Sequence, residues 1–227
     1  MNRTAPARRS AAPARAAALA PSRPRLRIVR NLRVLAAAPS GSPRCRADAK
    51  RVAARLTYLP RVTVLPSREH PLLVVPPGGA DSALAADADV LYLCAHSYPG
   101  PEPAGFCGTE LDTLHGPLTA KVLVLDTCWG AAPTVRRALA AIRPAGLPPL
   151  ALLAPAGPSP FDHHVLAGPL LEALLTGPRT GPWPQRLAVA ATTALAGPEL
   201  APHAGRRWTR RQIHAVPGTA TPIRTDR

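Results

Sequence analysis

The chain has 227 residues, with 28 Lys and Arg against 13 Asp and Glu, a formal net charge of +15, and is 46% apolar but only 4% aromatic. That length suits one domain with tails, or a domain plus a small second module, and the apolar content is enough for one substantial core. Four cysteines without a Cys-x-x-Cys pair exclude a disulfide-built miniprotein and point to reduced thiols in the cytoplasm, and no apolar run is long enough for a membrane-spanning helix.

The charge is uneven. Residues 1–30 hold eight Arg and no acid, residues 203–227 hold six Arg and one Asp, and the stretch between them is close to neutral. The division expected from this is a disordered basic arm over 1–27, one folded domain over 28–200 and a basic C-terminal tail over 201–227. Basic ends can contact phosphates, but no RNA-binding or helix-turn-helix pattern accompanies them, so nucleic acid is not expected as a partner. Arg8-Arg9-Ser10 opens like a twin-arginine signal, yet Arg15 interrupts the segment after it and no apolar stretch of adequate length appears.

In chain order, residues 32–38 read as a first strand and 39–43 as a turn. Residues 46–56 have helical spacing, with Val52 and Leu56 at i, i+4. Short strands are expected at 61–65 and 72–75. After the break at 76–79, a short helix over 81–86 would take Asp81 as its N-cap. Residues 89–94 form an apolar run that ends just before His96, and a Gly- and Pro-rich loop spans 97–117. A second apolar run over 121–125 ends at Asp126 and Cys128. Pro133 suits the first turn of a helix to 142, residues 150–153 read as a buried strand, and helices are expected over 161–175 and 183–195. Short apolar runs alternating with helices argue for an α/β fold, a mostly parallel sheet with helices on both faces. In such sheets function gathers at the carboxyl ends of the strands, which singles out His96 and Cys128.

A His and a Cys brought together there suit nucleophilic catalysis. The thiolate is the nucleophile, and a nearby imidazole and a helix N-terminus both favour it over the thiol. The same imidazole can protonate a leaving amine, while backbone N–H groups hold the developing oxyanion. Gly130 gives the turn after Cys128 the freedom to aim such groups inward.

The spelling Val90-Leu-Tyr-Leu-Cys-Ala-His96, followed by Leu123-Val-Leu-Asp-Thr-Cys128-Trp-Gly130, resembles the caspase-like cysteine peptidases, among them metacaspases and bacterial CHAT-domain proteins. The stretch from Val34 to Asp48 is similar to the first strand, loop and helix start of CHAT-type domains, and the resemblance covers roughly residues 30–180. It implies a caspase-like three-layer sandwich, with His96 as general acid/base, Cys128 as nucleophile and the backbone of Ser97 and Cys128 as oxyanion hole. It also implies a pocket in which Asp126 would receive an Arg or Lys side chain of a protein or peptide substrate. The family has Gly where this chain has Ser97, which leaves a second expectation open: a non-catalytic caspase-like or CHAT-type interaction module, working with regulatory partner proteins in a bacterial signalling or defence system.

Read singly, each residue has a plainer explanation: Cys128 as a small buried hydrophobe, His96 as a loop histidine, Asp126 as a strand-end turn residue. Cys94 reads as core, Cys107 and His115 as exposed loop residues, and Asp162, His163 and His164 as the opening of a helix. No zinc-ligand spacing and no phosphate-binding loop is present, so neither metal nor cofactor is expected.

Overall fold

The structure is a computed structural model that describes residues 30–95, 105–106, 109–110, 115–127, 130–155, 163–198 and 213–219. The expected disordered arm over 1–27 lies outside these residues.

Among the described residues nine strands and five helices follow one another. They are β1 (Leu32–Pro39), α1 (Pro43–Leu56), β2 (Val62–Leu65), β3 (Leu72–Val75), α2 (Ala80–Leu84), β4 (Val90–Cys94), β5 (Gly105–Phe106) and β6 (Thr109–Glu110), then β7 (Val122–Asp126), α3 (Pro133–Ile142), β8 (Leu150–Leu153), α4 (His163–Thr176), α5 (Trp183–Ala196) and β9 (Ile213–Val216). Seven strands make the main sheet in the order β2-β1-β4-β7-β8-β9, with β3 beside the carboxyl half of β1. Every pairing in it is parallel except β8 with β9. The molecule is therefore an α/β fold around a mostly parallel mixed sheet, with helices on both faces.

Alternation along the strands produces the layers, because successive side chains of a strand point to opposite faces. Val34 and Ala36 of β1, Val90 and Tyr92 of β4, and Val122 and Val124 of β7 face a core closed by α1, α4 and α5. Leu35 and Ala37, Leu91 and Leu93, and Leu123 and Leu125 face the other, closed by α2 and α3. Strands buried on both faces read as continuous apolar runs, which is why β4, β7 and β8 stand out in the sequence.

The helices start where local chemistry says they should. Ser42 caps α1, its hydroxyl accepting from the N–H of Cys45 at 3.3 Å, and Pro43 fills the first turn, where a missing N–H costs nothing. Cys45, Ala49, Val52 and Leu56 recur at helical spacing and form its buried stripe. Pro133 opens α3 in the same manner, and Val135, Leu139 and Ile142 are its buried face.

Three expectations need correction. Residues 213–216, placed in a basic tail, form β9 and pair antiparallel with β8, Leu153 opposite Ile213 and Leu150 opposite Val216. Residues 105–106 and 109–110, placed in a loop, form the two-stranded hairpin β5-β6. Asp81 is not the cap of α2, whose N-cap is Gly79; its carboxylate instead accepts from the N–H groups of His115 (2.9 Å) and Gly116 (3.1 Å) and anchors the segment leading into β7. No helix among the described residues is long and apolar enough to cross a membrane.

Candidate functional site

The neighbouring strands β4 and β7 end in register at the carboxyl edge of the sheet. Cys94 lies beside Asp126, and the Ala95 N–H donates to the Asp126 carbonyl at 3.0 Å. His96 is the next residue in the chain after Ala95, and Cys128 the next after Thr127. His96, Ser97 and Cys128 themselves lie outside the described residues, as do Cys107 and Asp162 and the side chain of His163.

Asp126 is described, and its surroundings differ from an open pocket. Its side chain is 7% exposed, on the α1 side of the sheet, and accepts a hydrogen bond of 2.8 Å from the hydroxyl of Tyr92, a residue with no exposed surface at all. Tyr92 sits two residues before Cys94 on β4, so the bond runs diagonally across adjacent strands. Burial, assisted by Cys94, raises the Tyr92 phenol well above its usual value, so it stays a proton donor to Asp126 at any physiological pH.

Three further groups crowd this corner. Cys94 is buried, as its place in a strand between two cores predicts, and it is hydrogen-bonded with Cys45 from the first turn of α1. That bond and burial push the Cys94 thiol far up, which keeps it protonated and unreactive. Asp48, one turn further along α1, is 9% exposed and close enough for its charge to act on both Tyr92 and Cys94. Arg51 reaches Asp48 at 3.7 Å from the solvent side.

The turn between β7 and α3 is tightly packed. A Cβ on Gly130 would meet Ala154 Cβ at 3.0 Å and Leu125 Cδ2 at 3.1 Å, so close packing favours glycine there. The Gly130 N–H donates to the Thr127 carbonyl at 3.3 Å and the Ala131 N–H to Pro155 at 2.8 Å. Thr127 is buried, and among the described residues its hydroxyl has no hydrogen-bond partner, an uncommon state for a buried polar group. Among the described residues no group of three or more His, Cys, Asp or Glu is arranged to hold a metal ion.

The sequence reading found the two strand ends but missed Tyr92, Asp48 and Cys45 as neighbours of the site. Tyr92 and Asp126 are 34 residues apart, and only the strand register brings them together. Cys45 and Asp48 had a weak signal, since helical spacing puts them on the buried stripe of α1. No protein-family profile, curated protein or solved structure matches the chain.

Proposed function

We propose that this protein is a cysteine endopeptidase of caspase-like fold that uses His96 and Cys128, with a lean towards cleavage after Arg or Lys. The observation that carries the reading is the register of β4 and β7. The two strands end side by side at Cys94 and Asp126, so the His and Cys motifs follow adjacent strand ends, as a nucleophile and its base require. The helix that opens at Pro133 directs its N-terminus to the same edge, which favours a thiolate nearby. Two buried acids, Asp126 and Asp48, give the edge a negative character suited to a basic substrate side chain.

In this reading the Cys128 thiolate adds to the scissile carbonyl. The oxyanion that forms is held by the N–H groups of Ser97 and Cys128. His96 protonates the departing amine, and water then hydrolyses the thioester, returning the thiol. Protein or peptide substrates follow from this chemistry, and the reading requires neither metal nor cofactor.

A second reading, a caspase-like interaction module without catalysis, is favoured by the engagement of Asp126 with Tyr92, which occupies an acid that a pocket would need free, and by Ser97 in place of Gly. Incubation with fluorogenic peptides carrying Arg, Lys, Asp or Leu at the cleavage position separates the two. The peptidase reading expects turnover of the Arg and Lys peptides, reduced at least about a thousandfold by Cys128→Ala. Turnover that survives Cys128→Ala, or silence of a folded protein together with an unalkylated Cys128 after iodoacetamide, overturns it.

A further inference from the structure

The opposite, amino edge of the sheet carries a set of cations that the chemistry above does not use. Leu32, Val90, Val122 and Leu150 begin their strands at this edge and Val216 ends β9 there. Arg30 is exposed just ahead of β1, and Lys121 directly precedes β7. Lys121 Nζ lies 5.9 Å from the centroid of the Trp183 ring, which fixes the start of α5 at the same edge. The Arg186 guanidinium stacks on that ring at 3.7 Å, and Arg179 is near enough for its charge to act on Arg186.

The acids at this edge are already engaged. Asp89 accepts from the N–H of Arg33 at 2.9 Å and from Lys121 Nζ at 2.6 Å, and Asp87 pairs with the Arg33 guanidinium. Among the described residues Arg179 and Arg186 have no ion-pair partner, and Arg186 Nε and Nη2 are buried without an acceptor. The Arg179 charge acts on Arg186, and an anion arriving between them relieves that repulsion. Residues 1–29 hold seven further arginines and no acid.

From this arrangement we infer that the amino edge, through Arg30, Arg179, Arg186 and Trp183, is a docking face for the phosphate backbone of nucleic acid. The planar guanidinium fork matches phosphate oxygens in a way that an ammonium does not, and 26 of the 28 basic residues are arginine. Backbone contacts are independent of base sequence, so the face needs no base-reading motif. A lipid surface fits less well. Among the described residues the large exposed apolar side chains are Tyr58 in the turn after α1, Val74 on β3 and Val189 on α5 one turn from Arg186, single side chains on separate segments that make no continuous apolar stripe. Because the face lies across the sheet from the carboxyl ends of β4 and β7, a docked nucleic acid leaves that edge open.

The test is fluorescence anisotropy of a short mixed-sequence DNA duplex, labelled with fluorescein and titrated with the full chain over a salt series. Binding at low salt is expected. The double variant Arg30→Glu/Arg179→Glu, its fold checked by circular dichroism, should weaken binding at least about tenfold and lower the slope of log K against log salt by about 2. Absence of binding at low salt overturns the proposal. So does a double variant that binds like wild type while deletion of residues 2–29 abolishes binding, because the arm would then act alone. Stronger capture by phosphatidylserine vesicles than by DNA overturns it in favour of a membrane.

Discussion

At the carboxyl edge of the sheet the buried polar groups are Thr127 and a set of acids and weak acids: Asp126, Asp48, Tyr92, Cys45 and Cys94. At the amino edge the fully buried polar side chain among the described residues is a cation, Arg143, while Asp87 and Asp89 there are paired with Arg33 and Lys121. Arg143, 1% exposed at the C-cap of α3, gives its guanidinium protons to backbone: Nη1 to the carbonyls of Leu118 (3.2 Å) and Ala120 (2.7 Å), Nε and Nη2 to that of Pro148 (3.1 and 2.5 Å). Asp126 accepts from a side chain, the Tyr92 hydroxyl. Helix direction underlies the difference. α1 and α3 start at the carboxyl edge, where partial positive charge suits acids, and end at the amino edge, where free carbonyls suit cations.

The largest test of this contrast is Arg143→Met. It keeps the apolar stem but strips donors from the carbonyls of Leu118, Ala120 and Pro148, and should cost about 3 kcal/mol. Urea denaturation reads this directly, and a loss under about 1 kcal/mol would show that Arg143 does not hold the segments around β7 and β8. Next is Tyr92→Phe, which removes a donor from a buried carboxylate and should cost about 2 kcal/mol by the same measurement. Unchanged stability there would mean that Asp126 is held by other partners.

The smallest effect is Asp89→Asn, about 1 kcal/mol at neutral pH. Burial alone would raise the Asp89 carboxyl, but the Arg33 N–H, the Lys121 ammonium and the Arg30 charge outweigh it and hold it below its usual value. A lowered carboxyl contributes stability that is complete above the unfolded-state pKa and is lost as pH falls through the folded one. Wild type should therefore lose its advantage over Asp89→Asn on acidification below the ordinary carboxylate range. Parallel stability curves of the two proteins through that range would remove Asp89 from the account.

Much of the architecture was legible because burial on two faces writes itself as apolar runs. Residues 72–75, 133–142 and 150–153 form their elements with the bounds read from sequence. β9 was not, because Ile213-His-Ala-Val216 follows Arg210 and Arg211, and what makes it a strand is the edge of β8, far away in the chain. β5 and β6, of two residues each, carry no periodicity to detect. At the candidate site the strand ends could be read from the run lengths. The Tyr92–Asp126 bond could not, since it depends on which strands lie side by side and in which register.

The lateness of β9 has a consequence for how the chain is made. Residues 154–212 separate it from β8, so a growing polypeptide emerges with β8 as a bare edge strand whose four residues, Leu150–Leu153, are all core. Until β9 arrives, that edge is open to any other extended segment in its surroundings, and the incomplete chain is most prone to aggregate at this point of synthesis.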